Sequence, residues 1–351
     1  MKRYENIDGL RAVSCMGIVA MHLYATAGYS HPGLIDRLFS AWALLVIPFM
    51  ILSGFGICAG YLKKIQQGKI SLERFYARRY SKILPFFMVT TGIGVAAEHS
   101  IRGLSEGIME LSLVFGLLPN NSNCFEVNGI CWTLGTIFAF YLLFPFISVL
   151  LKNKKRAWLA LAASLVIQFL CETLFMTDVF VLDGYLNRSN VLYSLSFFLM
   201  GGLLYLYRNE IESLVKGKKQ QWLMMVICIA ATIAYYLTAD ELLGVNIADQ
   251  KVSLVFVLWC IYAISAKSHV LNNRGVKVVA NYSMEIYLSH MIVLKALRIL
   301  KVTESINKNF FSFLIMFVLL MFATTAFVIV VNYGISYIGR RVKRLLSHET
   351  T

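Results

Sequence analysis

Long apolar runs constrain this chain more than any other feature of its sequence. Apolar residues make up 58% of the 351 positions and charged residues only 15%, whereas a soluble domain carries about 25% charged residues. The apolar residues gather in runs near the length of about 20 residues that a helix needs to cross a bilayer. The sequence therefore predicts an all-α polytopic membrane protein. The predicted spans, about ten in number, are 9–28, 38–61, 79–97, 132–151, 157–175, 191–207, 222–239, 251–266, 282–300 and 311–334.

The basic residues predict how these spans are oriented. The net charge is +14, and 24 of the 33 lysines and arginines fall in segments that share one side if the N-terminus is cytoplasmic. Lys and Arg concentrate in the cytoplasmic loops of membrane proteins. We therefore expect both termini to be cytoplasmic, and we attribute the positive charge to membrane topology rather than to nucleic-acid binding.

The chain has no internal repeat, low-complexity tract or soluble extension, so residues 1–351 are predicted to form a single membrane-embedded domain. Three segments outside the spans stand out: a basic cytoplasmic loop 62–82, an outer loop 98–131 and a short basic C-terminal tail 335–351. The outer loop contains "GIMELSLVFGLL", which is too short to span a bilayer. We expect an interfacial or re-entrant helix there.

The first predicted helix carries ionisable groups along one face. Arg11 and His22 are eleven residues apart, which places them within about 20° of the same face and about 16 Å apart along the axis. Asp8 precedes Arg11 by one helical turn and shares that face. Ionisable residues at such depth usually face a bundle interior or a water-filled cavity. His22 is therefore a candidate catalytic residue, and the alternative is an imidazole that only hydrogen-bonds to a neighbouring helix.

Six blocks resemble, in order, those of the integral-membrane acyltransferase 3 family, whose first helix carries Arg, ten residues and then His. The resemblance covers almost the whole chain. The blocks are "DGLRAVSCMGIVAMH" from Asp8, "PFMILSGFGI" from Pro48, "FYARRYSKILPFF" from Phe75, "WTLGTIFAFYLLFPF" from Trp132, "FFLMGGLLY" from Phe197 and "YSMEIYLSHMIV" from Tyr282.

This resemblance implies a membrane O-acyltransferase that takes an acyl group, commonly acetyl, from cytoplasmic acyl-CoA. The acceptor would be a hydroxyl of an extracytoplasmic glycan, such as a surface polysaccharide, or of an antibiotic or other small molecule. Histidine suits the general base because its pKa lies near working pH, so His22 would act directly on the acceptor or on a transient acyl carrier residue. The phosphates of CoA need cations, and Arg11, Arg78, Arg79 and Lys82 are the candidates. The alternative is that the basic residues 78, 79 and 82 are ordinary topology anchors.

Two positions depart from the family pattern. Its basic motif is Arg-x-x-Arg, whereas here Lys82 takes the second place and keeps the charge without the guanidinium fork. The family usually has an acidic residue five positions after the tryptophan of the fourth block, where this chain has Ile137. Glu126 in the preceding loop and Glu285 in the ninth span are candidates to replace it.

Further residues are candidates for a supporting or acceptor-side role. Tyr287 and His290 are neighbours on one helix face, and His290 is a candidate to orient His22 or to line the acceptor path, or else to make an ordinary interhelical hydrogen bond. Ser53 beside Gly54 fits close helix packing better than catalysis. Trp132 and Tyr141 are candidates to stack on a sugar, although aromatic residues near a membrane interface are usually anchors. Two outer-loop cysteines would pair if that compartment is oxidising: Cys124 and Cys131.

Two other functions remain open on the sequence alone. One is a transporter or flippase for a lipid-linked glycan, and the other is a catalytically inactive family member, because of Ile137. The sequence has no metal-ligand spacing or phosphate-binding glycine loop, so we expect no metal cofactor. The expected setting is the plasma membrane of a bacterium. The acyl group, the acceptor and the oligomeric state are not determined at this level.

Overall fold

The computed structural model describes residues 4–29, 33–118, 121, 127–181, 185–242, 245–266, 268–304 and 307–348, with side chains described as far as 341. Within these residues the chain is almost entirely helical, as predicted, and one antiparallel hairpin pairs Glu241 with Asn246. The elements are α1 Glu5–Thr26, α2 Leu34–Ala41, α3 Val46–Ile57, α4 Lys63–Gln66, α5 Leu72–Glu98, α6 Ile101–Ser112, α7 Trp132–Leu150, α8 Lys154–Leu170, α9 Val191–Leu206, α10 Arg208–Leu214, α11 Lys218–Leu237, β1 Glu241–Leu242, β2 Val245–Asn246, α12 Ala248–Ser265, α13 Arg274–Asn281, α14 Ser283–Ile299 and α15 Phe310–His348.

Seven helices of the described chain are long and apolar enough to cross a membrane, or eight if α9 and α10, which meet at a 63° bend, form one span. These helices indicate a multi-pass membrane protein. Three predicted spans lie outside the seven: α9, which counts only as part of the bent pair, α1, which carries Asp8, Arg11 and His22, and α14, which has 17 residues. The number ten and the position of the termini therefore stay predictions. The seven are Leu34–Gln66, Leu72–Glu98, Trp132–Leu150, Lys154–Phe175, Lys218–Leu237, Ala248–Ser265 and Phe310–Arg341.

Two segments predicted as a loop and a tail are helical instead. In the segment 62–82, α4 extends to Gln66 and α5 starts at Leu72, because the Ser71 side chain caps α5 by accepting a hydrogen bond from the Arg74 backbone N–H at 3.3 Å. Only 67–71 separates the two helices. At the C-terminus α15 continues to His348. In the segment 62–82, and in α15 as far as residue 341, the basic side chains lie mainly on exposed helix faces, and a charged helix surface has a composition similar to that of a loop.

The outer segment contains a separate short helix, α6, which spans Ile101–Ser112, whereas the apolar piece expected to be helical is 107–118. One face of α6 is exposed and apolar: Ile101, Leu104 and Ile108 are 87%, 54% and 65% exposed. The opposite face packs on α5, where Gly103 and Gly107 permit a close approach. This two-sided pattern is typical of an interfacial helix.

A buried carboxyl group ties α6 to the turn that precedes α7. Glu110 is fully buried; one carboxyl oxygen accepts from the Thr91 hydroxyl and the other from the Asn128 backbone N–H, each at 3.1 Å. Burial raises the pKa of Glu110 to about 7, because the charged form loses its hydration. The Cys131 thiol is also buried and hydrogen-bonds to this carboxyl group. Cys124 lies outside the described residues, so the proposed pairing of the two cysteines stays a prediction.

Glycine allows the closest helix contact of the bundle core. A Cβ atom on Gly54 of α3 would lie 2.1 Å from the Phe198 carbonyl oxygen of α9, and one on Gly201 would lie 1.9 Å from the Ile51 carbonyl oxygen. Both distances are far inside van der Waals contact, so only glycine fits at either position. The packing role expected for the Ser53–Gly54 pair is therefore observed at Gly54.

We expect Gly54→Ala to lower the free energy of unfolding by about 1–3 kcal/mol, because α3 and α9 must separate to admit the methyl group. Thermal unfolding of the detergent-solubilised protein measures this. Gly92→Ala is the matched control, since a Cβ there meets no atom within 4 Å and alanine favours the helix. Equal losses in both variants would contradict the close α3–α9 contact.

We expect Glu110→Gln to flatten the dependence of thermal stability on pH. A carboxyl group whose pKa is about 7 in the folded protein, against an ordinary 4.5, stabilises the fold fully below about pH 4.5 and loses that contribution as the pH rises through 7. Glutamine does not ionise, and its amide can still accept from Asn128 and donate to Thr91. Melting temperatures measured from pH 5 to 8.5 test this, with the exposed Glu241→Gln as control. A wild-type melting temperature that rises from pH 5 to 8.5 relative to that of Glu110→Gln would contradict this prediction.

Candidate functional site

Helices α1 and α14 pack side by side, parallel and in register. The Cys15 thiol donates to the Ser283 carbonyl oxygen at 3.4 Å, and the imidazoles of His22 and His290 are hydrogen-bonded at 2.9 Å; each pair is separated by 268 positions. The register is therefore the same at both contacts, and the two histidines meet about one turn before the end of α1 and near the middle of α14.

The second histidine contacts the first, which was one of the roles expected for it. The two rings are 5.0 Å apart between centroids and tilted by 33°; His290 is fully buried and His22 partly buried. His290 Nδ1 lies 2.6 Å from the Tyr287 carbonyl oxygen. The Tyr287 hydroxyl donates to the Ile130 carbonyl oxygen at 3.0 Å and lies 2.9 Å from Thr133 Oγ1. These contacts hold α14 against the start of α7 and leave the imidazole pair little freedom.

A cavity of about 260 Å³ opens beside α1, α3, α5, α7 and α14; it lies toward the N-terminal ends of α1 and α14 and is called the inner cavity. Three of the four cations predicted to bind CoA line it: Arg11, Arg79 and Lys82. Arg79 and Lys82 are one helical turn apart and share a face of α5. Arg78 is exposed and does not line this cavity, because one residue along a helix turns the side chain by about 100°.

Two tyrosines hold the Arg79 side chain in place. Its guanidinium donates to the Tyr61 hydroxyl at 2.7 Å and lies 4.5 Å from the centroid of the Tyr61 ring and 5.8 Å from that of Tyr141. Arg79 Nε is buried and has no hydrogen-bond partner in the described part of the protein. The group is thus oriented by aromatic faces and keeps unused donors, which is a suitable arrangement for binding an anion.

The other predicted residues lie in different places. Asp8 pairs with Arg11 at 3.0 Å, as their spacing predicts. Ser53 and Glu285 line the inner cavity. Tyr141 also lines it, beside Arg79. Trp132 is 8% exposed, lines neither cavity and packs in the core. The stacking of these two rings on a sugar stays a prediction.

A larger outer cavity of about 740 Å³ lies at the opposite end of α1 and α14. Its walls come from Thr26, the end of α5, the turn 127–130 and the second half of α14, and its charged side chains are Glu98, Lys295, Arg298 and Glu304. Helix α14 thus lines the inner cavity from Ser283 to Leu288 and the outer cavity from Met291 to Ile299. His290 lies between these stretches, although neither imidazole lines either cavity.

The sequence analysis did not predict several residues that support the site. Tyr61, Thr133 and Glu110 have no local pattern that marks them, because each acts through a partner on another element. Lys295 and Arg298 were visible as charges within a predicted span, which is a recognised signal of function. Glu126 lies outside the described residues. Among the described residues, no group of three His, Cys, Asp or Glu side chains is arranged to hold a metal ion.

Comparison with known proteins supports the family resemblance. A protein of Haemophilus influenzae, uncharacterized in function, is 28% identical over 61% of this chain and 93% of its own length. A Staphylococcus aureus protein named as an O-acetyltransferase is 29% identical over 44% of this chain, and an acyltransferase of Streptomyces mycarofaciens is 30% identical over 44%. The matches span only 27% and 42% of those two longer proteins. No solved structure matches the chain significantly.

The match to the family as a whole is more extensive than any of these pairwise matches. The sequence profile of the acyltransferase domain covers residues 4–333, which includes both histidine-bearing helices and the walls of both cavities. The chain is a multi-pass membrane acyltransferase, and it belongs to the acyltransferase 3 family.

Proposed function

We propose that the protein transfers an acyl group, most simply acetyl, from cytoplasmic acyl-CoA to a hydroxyl of an extracytoplasmic glycan or related acceptor. One observation carries this proposal: helix α14 lines a cationic inner cavity and a separate outer cavity, and its histidine between them is hydrogen-bonded to His22. Two substrates that approach from opposite sides need such a meeting point. The proposed setting is the cell envelope of a bacterium, with the protein in the plasma membrane.

The charge of the inner cavity supports acyl-CoA as the donor, and the size of the cavity suits one part of that molecule. Arg11, Arg79 and Lys82 bring three cations to one opening, and CoA carries several phosphate charges. A volume of about 260 Å³ is small beside the usual ligand site of about 300–1,000 Å³. We therefore expect the cavity to hold the pantetheine arm and the thioester, with the nucleotide at the mouth among the cations.

The reaction needs one base and no redox step. His22 removes the proton from the acceptor hydroxyl, and the oxygen attacks the thioester carbonyl carbon. The tetrahedral intermediate collapses, the C–S bond breaks, and the imidazolium returns its proton to the leaving thiolate. The products are an O-acyl ester and free CoA. A route through a transient acyl carrier residue has the same overall balance.

The position of Glu285 supports it as a replacement for the missing family acid. Ile137 lines the inner cavity, and Glu285 lines the same cavity from α14. A carboxylate can thus reach this space from a different helix. The substitution at Ile137 is therefore compatible with an active enzyme.

The acceptor would enter through the outer cavity. Besides aliphatic residues, four charged side chains line it, Glu98, Lys295, Arg298 and Glu304, and these can hydrogen-bond to a hydroxyl-rich molecule. Thr26 links this cavity to the base, because its hydroxyl donates to the backbone carbonyl of His22 at 2.7 Å.

We expect Arg79→Ala to weaken acetyl-CoA binding by roughly 10- to 100-fold, the usual cost of losing a charge-assisted hydrogen bond of about 1.5–3 kcal/mol. Arg78→Ala is a matched control: it removes the same charge from the adjacent position, outside the cavity, and should change affinity by less than about twofold. Titration of the purified protein with acetyl-CoA, followed by thermal shift, measures both constants. If both variants keep an affinity for acetyl-CoA within about twofold of wild type, these arginines act only as topology anchors.

We expect His22→Ala to lower the rate of acyl transfer by roughly 10²- to 10⁴-fold while acetyl-CoA still binds. Inverted membrane vesicles given radiolabelled acetyl-CoA, with alkali-labile label counted in the envelope glycan fraction, measure transfer. His99→Asn is the control, since His99 is an exposed helix cap at a φ of 47° that asparagine also adopts. Full transfer by His22→Ala would exclude this mechanism, and glycan movement without CoA release would favour a flippase.

A further inference from the structure

The hydrogen bonds of His290 determine where its proton lies. Its Nδ1 is 2.6 Å from the Tyr287 carbonyl oxygen, and a carbonyl oxygen only accepts, so Nδ1 carries the hydrogen. The ring is fully buried, and no carboxylate in the described part of the chain hydrogen-bonds to either imidazole. A buried, unpaired positive charge is costly, so we take the resting ring as neutral. Its Nε2 then bears a lone pair.

The tautomer of His22 follows from that of His290. His22 Nδ1 lies 2.9 Å from His290 Nε2, and a lone pair there requires a donor. His22 Nδ1 therefore carries the hydrogen of that ring, and in a neutral imidazole the other nitrogen, Nε2, is left unprotonated. Only an unprotonated nitrogen can accept a proton from an acceptor hydroxyl.

We infer that His290 is a positioning residue that holds His22 in the Nδ1–H tautomer, so that His22 Nε2 is the basic atom. This inference rests on the proposed function of His22 as general base. In Ser-His-Asp enzymes a buried carboxylate orients the catalytic imidazole and fixes its tautomer. Here a second imidazole takes that place, and its own orientation comes from the backbone carbonyl one turn earlier on α14.

The anchoring of α14 makes this arrangement rigid. The Tyr287 hydroxyl joins α14 to the Ile130 carbonyl oxygen and to Thr133 on α7. The rotation of α14 about its axis, and with it the direction of the His290 ring, is thereby fixed. When His22 gains a proton at Nε2, its Nδ1–H still has an acceptor, and the charge is stabilised by the neighbouring ring.

Nitrogen-15 NMR of the purified wild-type protein with labelled histidine tests the tautomer without any activity measurement. Among the six histidines, the signals of His22 are assigned by their loss in His22→Ala, with His99→Asn as a second reference. We expect a protonated Nδ1 and an unprotonated Nε2 at His22. A resting Nε2–H tautomer at His22 would overturn the inference, whatever the variants do.

Two isosteric variants separate the tautomer role from simple packing. In His290→Asn the amide can still bond the Tyr287 carbonyl, but nothing occupies the Nε2 position. In His290→Gln the amide oxygen reaches that position and accepts from His22 Nδ1. We expect His290→Asn to shift His22 to the Nε2–H tautomer and to lower kcat by roughly 10²-fold or more, with acetyl-CoA affinity unchanged. His290→Gln should retain the tautomer and most of the rate.

The outcomes distinguish this inference from the proposed function. If His22→Ala abolishes transfer while His290→Asn keeps the wild-type kcat and tautomer, His290 has no positioning role and the proposed function stands. If His22→Ala transfers normally, the proposed function itself fails. Equal losses of rate in His290→Asn and His290→Gln, with the His22 tautomer unchanged in both, would identify a packing role only and would overturn the inference.

Discussion

The hydrogen bond between the imidazoles of His22 and His290 is the interaction on which the rest of the site depends. Each ring is a polar group inside an apolar bundle, and a buried polar group without a partner is costly. Their pairing removes that cost for both rings and sets the register of α1 against α14. Because α14 lines one cavity before His290 and the other after it, that register also places both cavities relative to His22.

The position of α1 and α14 in the bundle follows from their polarity. Both were predicted as spans, yet neither is among the helices long and apolar enough to cross a membrane on their own. Helices that carry ionisable side chains are stable in a bilayer when those side chains face the interior of the bundle. Helix α1 buries residues along most of its length. More apolar helices, such as α8, α11 and α15, have large exposed apolar surfaces suited to lipid. Close glycine contacts between α3 and α9 hold the centre together.

The adjacent arginines of α5 illustrate how one residue type serves two purposes. Arg78 and Arg79 contribute equally to the positive charge of their segment. Arg79 faces the inner cavity between two tyrosine rings, whereas Arg78 is exposed. The difference is a rotation of about 100° around the helix axis. Any count of charges along the sequence treats the two alike.

The sequence by itself determined those features that depend on local spacing and composition. Apolar runs indicated the helices, the spacing of Asp8 and Arg11 indicated their ion pair, and the ordered blocks indicated the family. It misjudged the segment 62–82, since a charged helix face and a loop have similar compositions. Only the tertiary structure decided that His22 meets His290 across 268 positions, that Tyr61 holds Arg79, and that Glu110 anchors the turn before α7. These contacts join distant parts of the chain. They form because buried polar groups on packed helices must hydrogen-bond to one another, and no local sequence pattern predicts which groups will meet.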